Sequence, residues 1–107
     1  MTRNDFLTIS SVVESAVAAN QPVVALESTV IAHGLPRPQN LETAVRLEEI
    51  VRAEDSTPAT VAVIEGMLCV GLDSEQRELI ANESDIKKLS TRDLPIAVAR
   101  RWNGATT

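Results

Sequence analysis

Apolar residues Val12, Val13, Ala16 and Val17 recur at helical spacing, and Asn20 ahead of Pro22 supplies a stop. Val23 to Glu27 follows as a continuous apolar run closed by an acid, the pattern of a strand covered on both faces. Further strands are predicted at Thr60 to Ile64 and Met67 to Val70, with Glu65-Gly66 between them as a hairpin turn or a bulge. From Leu41 to about Ala53 the pattern is that of an amphipathic helix capped by Asn40: Ala44, Leu47 and Val51 share one face, and Glu42, Arg46 and Glu49 another. Glu42 with Arg46, and Glu48 with Arg52, stand four apart in the favourable order, and these charges read as a solvated face. Asp73 or Ser74 caps a third helix reaching about Ala81, and Ile86 to Leu89 forms a short strand. Asp93 then caps a fourth helix that aligns Leu94, Val98 and Trp102, with Pro95 tolerated in the first turn. Asn103-Gly104 ends that helix, and Ala105-Thr106-Thr107 begins a further one.

Alternating helices and strands predict an α/β architecture, layered helices over a partly parallel sheet. The reading is one partial domain over residues 1–107, with residues 1–22 as a leading helix. The 107 residues are 44% hydrophobic, but Phe6 and Trp102 are the only aromatics, so the core must be built from Val, Ile, Leu and Ala. A net charge of −5 with acids and bases interspersed argues against a nucleic-acid surface. The single cysteine, Cys69, lies in an apolar run and reads as a buried small hydrophobe, which fits a reducing compartment. No apolar stretch approaches membrane-spanning length and the first residues lack a signal-peptide core, so the expected location is the cytoplasm.

Candidate chemistry concentrates in Ala25 to Asn40, ALESTVIAHGLPRPQN. An acid at the end of a buried strand loses part of its water, and loss of water favours the neutral form that donates a proton near neutral pH. Glu27 therefore reads either as a general acid or as a strand-end acid that caps backbone amides. Ser28 and Thr29 either contact a substrate or cap the loop. His33 is the only histidine and has no cysteine or second imidazole nearby, so a structural hydrogen bond is favoured over a zinc site. Lys88 reads as a solvated charge beside Lys87 or as a phosphate or ribose contact. Asn103 to Thr107 offers backbone N–H groups at a helix start, a cradle for phosphate or ribose.

The same residues carry a resemblance. ALEST followed by VIAHG, Pro58-Ala59-Thr60 entering a strand, Val70-Gly71-Leu72, Ser90 with Arg92-Asp93-Leu94-Pro95, and Asn103-Gly104-Ala105-Thr106-Thr107 resemble, in that order, the N-terminal part of the pseudouridine-5'-phosphate glycosidases, also called the indigoidine synthase A-like family. The resemblance covers essentially everything from Val23 onward. It implies the N-terminal portion of that family's fold, and reversible cleavage of the carbon–carbon bond of pseudouridine 5'-phosphate to uracil and ribose 5-phosphate. Glu27 takes the proton donor's position and Lys88 that of a substrate-binding lysine. The nucleophilic lysine and the manganese ligands are implied beyond Thr107, so no metal ligand is expected in this chain. A homotrimer is implied, and a chain of this length is expected to be inactive alone. A non-catalytic interaction module, or one half of a split enzyme, is the competing expectation. Two departures stand out: Arg100-Arg101-Trp102 replaces a smaller stretch before Asn103, where it would crowd a site entrance, and Glu65 stands where glycine is common.

Overall fold

The computed structural model describes residues 2–107. Its centre is β4 (Thr57–Ile64), and every other layer is arranged around that strand. β5 (Met67–Val70) returns antiparallel beside it through a two-residue turn, Ile64 facing Met67. Glu65 and Gly66 in that turn both have positive φ, 49° and 76°, as a hairpin turn that follows the twist of its strands requires. Parallel pairing of Thr57, Pro58 and Ala59 with Val23, Val24 and Ala25 extends β4 three residues ahead of the expected start.

On one side β5 pairs with β2 (Leu7–Ile9), parallel, and β2 with β1 (Thr2–Arg3), antiparallel. The N-terminal stretch expected to be a leading helix thus begins with two short strands, and only Ser11–Ala18 is helical (α1). Strands of two and three residues are too short to show a period of two, which is why the pattern does not reveal them. Asn20 closes the α1 turn at φ 56°, as its position predicts.

On its other side β4 is flanked by two strands placed end to end. β3 (Val23–Leu26) runs parallel to its first half, Leu26 facing Thr60, while β7 (Gly104–Thr106) runs antiparallel to its second half, Ala105 facing Ala62. β6 (Lys87–Leu89) completes the sheet as the parallel neighbour of β7. The segment 103–107 is therefore a strand and not a helix start. Gly104 is needed for packing, because Leu89 occupies the space its Cβ would take.

Alternation along β4 assigns the layers. Ala62 belongs to a core with Ala44 of α2 (Gln39–Ala53), Ile80 and Ala81 of α3 (Ser74–Asn82), and Ile31 of a π-helical turn at Val30–Gly34. Val63 packs on the opposite face with Leu89 and with Ala97 of α4 (Leu94–Ala99). Ala59 lies on that same face, towards α1. Cys69 is buried in the first core, as expected.

Several expectations are corrected. α4 ends at Ala99, and Arg101 turns the chain at φ 54°, so Trp102 is not on its helical stripe. Trp102 instead packs against the Val63 core, and the Arg101 Cα lies 2.9 Å from where a Cβ on Gly66 would stand. These residues close the Glu65 end of the hairpin, not the Glu27 end of the sheet. Asp93 precedes α4 but does not cap it; its carboxylate accepts the Ser90 N–H and hydroxyl across the 3-10 turn Thr91–Asp93. On α2 the buried stripe is Asn40, Ala44 and Glu48, while Leu47 is 37% exposed. Asn40 is no N-cap: its amide donates to the carbonyls of Ile31 and Ala81. Glu48 leaves the expected solvated face because Thr60, Arg52 and Arg77 all donate to it. Asp73, by contrast, caps α3 with a full capping box to Gln76.

Candidate active site

Glu27 is the first residue after β3, at the point where β3 and β7 meet end to end. Contrary to the expectation of a strand covered on both faces, Val24 is 39% exposed, and Ala25 and Glu27 are exposed as well. Among the described residues β3 has β4 as its strand partner along one edge. The described residues thus leave Glu27 exposed, not in the buried setting expected of it.

The backbone around Glu27 is nevertheless fixed. The Ser28 N–H donates to the Thr106 carbonyl at 3.0 Å, and the Thr106 N–H donates to Ser28 Oγ at 2.9 Å. Ser28 is wholly buried, and its carbonyl accepts the N–H groups of Ile31 and Ala32 at 3.0 and 3.1 Å, which starts the π-helical turn. Farther along that turn, His33 Nε2 donates to the Ile86 carbonyl at 2.7 Å, the structural role favoured for this histidine. Thr29 Oγ1 is buried without a hydrogen-bond partner among the described residues.

Lys88 sits in the middle of β6, exposed, with Ala105 as its register partner and Leu89 paired to Thr106. Ala105 and Ile86 face the core that the π-helical turn covers, so register puts Lys88 on that face of the sheet. The Glu27 loop and β6 are thus separated by one strand, β7, and joined by bonds at Thr106 and Ile86. The neighbouring Lys87 turns away, pairing with Asp85 at 3.2 Å and lying 5.3 Å from the Trp102 ring centre.

Beside this junction lies a hollow of about 220 Å³ lined by Leu89, Ser90, Thr91, Leu94, Thr106 and Thr107. That is below the roughly 300–1,000 Å³ of ordinary small-molecule sites. A larger depression of about 790 Å³, lined by Phe6, Glu65, Gly66, Met67, Val98 and Arg101 among others, lies at the far end of the hairpin, away from Glu27 and Lys88.

Asn103 Oδ1 accepts the Glu65 N–H at 2.7 Å, and its carbonyl accepts the Lys87 N–H at 2.9 Å. Among the described residues no three His, Cys, Asp or Glu side chains gather as a metal would require. Nor is any helix of these residues long and apolar enough to cross a membrane. The contacts that sequence reasoning misses are those of Ser28 and Glu48, whose partners lie 78 and up to 29 residues away.

Comparison with known proteins gives this chain a set of relatives. The chain is 56% identical over 101 residues to a protein from Frankia alni named pseudouridine-5'-phosphate glycosidase, covering 94% of this chain and 28% of that one. It is 50% identical over 104 residues to a protein of the same name from Caldanaerobacter subterraneus, covering 97% and 34%. The crystal structure of the prealnumycin C-glycosynthase AlnA in complex with ribulose 5-phosphate superposes with a TM-score of 0.84 at 37% identity, over 98% of this chain and 33% of that one. An indigoidine synthase A-like protein from Thermotoga maritima superposes with a TM-score of 0.81 at 34% identity, over 100% and 35%. The chain thus spans about a third of the length of these relatives. The family model described as indigoidine synthase A like protein matches residues 12–107, and the chain belongs to that family.

Proposed function

We propose that the chain supplies the N-terminal third of a pseudouridine-5'-phosphate glycosidase, in which Glu27 donates a proton and Lys88 holds the substrate. The observation that carries this reading is the fixed Glu27 loop, tied through Ser28 to β7 and through His33 to the approach to β6, in a chain 56% identical to a relative of that name. The substrate class is supported by that name and by the ribulose 5-phosphate bound to the C-glycosynthase neighbour.

The chemistry explains the division of labour. A carbon leaving group has no lone pair to protonate, so ordinary acid catalysis at a glycosidic oxygen does not fit. A lysine whose nitrogen displaces the ring oxygen at the anomeric carbon opens the sugar; its lone pair then forms a Schiff base as the carbon–carbon bond breaks, the bonding pair leaves with the uracil carbon, which takes a proton from Glu27, and water hydrolyses the Schiff base to ribose 5-phosphate and free lysine. In this proposal the nucleophilic lysine and the manganese ligands belong to the remaining two-thirds of the family's length. That portion also covers β3 and excludes water from Glu27. Lys88 contributes its charge to the phosphate or ribose. The products are uracil and ribose 5-phosphate, the setting is cytoplasmic, the assembly is a homotrimer, and the chain alone is inactive.

A second reading, a non-catalytic interaction module, is favoured by one observation. α1 leaves Val12 67% and Val17 64% exposed, beside an apolar groove of about 470 Å³ lined by Val13, Val17, Val23, Ala25, Ala59 and Val70.

The two readings separate in a uracil-release assay with pseudouridine 5'-phosphate and manganese, using the chain alone and mixed with the C-terminal part of the Frankia alni relative that this chain does not cover. Silence alone and uracil release on mixing are expected. Turnover by the chain alone overturns the division of labour, and silence of a folded mixed complex leaves the module reading standing.

A further inference from the structure

Ser28 stands next to Glu27, is 0% exposed, and has its N–H, Oγ and carbonyl all engaged. Its position explains why. β3 and β7 approach the same point of β4 from opposite ends, so the regular ladder of neither strand continues past the other. At that join the Thr106 N–H needs an acceptor, and Ser28 Oγ provides it at 2.9 Å while the Ser28 N–H returns a bond to the Thr106 carbonyl at 3.0 Å. The Thr106 hydroxyl reaches on to the Val61 carbonyl at 3.4 Å, tying the join to β4. A side chain with no acceptor at this position leaves the half-buried Thr106 N–H unpaired.

Thr106 faces Leu89, and Ala105 faces Lys88. The Ser28–Thr106 pair therefore links the backbone next to Glu27 to β7, the strand paired with the one that carries Lys88. We propose that Ser28 is the positioning residue of the site, fixing the Glu27 carboxylate relative to a substrate held by Lys88. The inference rests on the proton-donor reading of Glu27. Ser28 touches no reacting atom in this account. Its effect passes through the placement of Glu27, where a displacement of about 1 Å is enough to lower a rate by about 100-fold.

The test uses the chain assembled with the C-terminal part of the Frankia alni relative that this chain does not cover, and compares Ser28→Ala, Ser28→Cys and Glu27→Gln. Ser28→Ala is expected to lower kcat by about 100-fold while KM for pseudouridine 5'-phosphate stays within about threefold, because the Lys88 side of the site is untouched. Ser28→Cys, similar in size but a weak acceptor, is expected to fall between the alanine variant and wild type. In the 107-residue chain itself, the Thr106 amide is expected to exchange at least about tenfold faster in Ser28→Ala, as loss of its acceptor requires. An unchanged kcat in Ser28→Ala, or in Ser28→Cys if the alanine variant does not fold, overturns the inference. So does an unchanged Thr106 exchange rate. Glu27→Gln separates the two claims: if it is inactive while Ser28→Ala is normal, only the positioning role fails, and if it is fully active, the proton-donor reading falls and takes this inference with it.

Discussion

The Thr60 hydroxyl donates to the Glu48 carboxylate at 2.7 Å, joining the middle of β4 to the buried face of α2. Arg77 of α3 reaches the other carboxylate oxygen at 3.3 Å and Arg52 reaches it at 3.1 Å, so one acid ties two helices to the central strand. The Glu48 side chain is 4% exposed and that of Arg77 17%, which makes this an inward network, in contrast to Arg46 and Glu49, 70% and 55% exposed.

Removing one member of a buried ion pair strands its partner, at a cost of roughly 3–5 kcal/mol. Glu48→Ala is expected near the lower end, about 3 kcal/mol, because Arg52 keeps water on its guanidinium. Urea unfolding measures it. A loss below about 0.5 kcal/mol, the level of a surface pair, contradicts the network.

How far such features are legible depends on where the partners sit. The four α-helices and the longer strands lie where local periodicity places them, and Asp73 with Gln76 is a cap visible in the sequence. The Glu48–Arg52 spacing is visible too, but Thr60 and Arg77 lie on other elements, so the sequence shows a surface pair where the fold has a buried one. Asn40 misleads for the same reason: a residue that favours caps is used here to hold the Ile31 and Ala81 carbonyls. Asn103-Gly104 imitates a helix stop, although Gly104 is required by Leu89 packing across from it. For the site, the ALEST motif marks the right loop, but the exposure of β3 depends on which strands flank β4, and no local pattern encodes that.

The Glu65-Gly66 turn offers a second prediction. Glu65 holds a left-handed φ of 49°, where a side chain is strained and asparagine is tolerated. Glu65→Asn, which creates the favoured Asn-Gly turn and keeps the N–H bond to Asn103, is expected to stabilise the chain by about 0.5–1 kcal/mol. A fall in the urea midpoint contradicts the turn assignment.

A third prediction concerns pH. The Ser90 N–H, and then the Ser90 hydroxyl, hold the Asp93 carboxyl below its ordinary 3.8, aided by the Arg92 charge and opposed by burial. Because the folded value is the lower one, the stabilisation is complete above 3.8 and is lost as pH falls through the folded value. The Ser90 amide resonance is expected to move, and its exchange protection to drop, only in that acid range. A transition above 3.8, or none tied to Asp93→Asn, contradicts the assignment.

The central claim is that Glu27 donates the proton. Its most direct test is uracil release from pseudouridine 5'-phosphate by a single chain that joins residues 1–107 to the C-terminal part of the Frankia alni relative that this chain does not cover, compared with its Glu27→Gln variant. A general acid contributes about 100- to 10,000-fold, so the variant is expected to lose turnover by at least about 100-fold with its melting temperature unchanged. A folded Glu27→Gln chain that releases uracil at the rate of its parent contradicts the account.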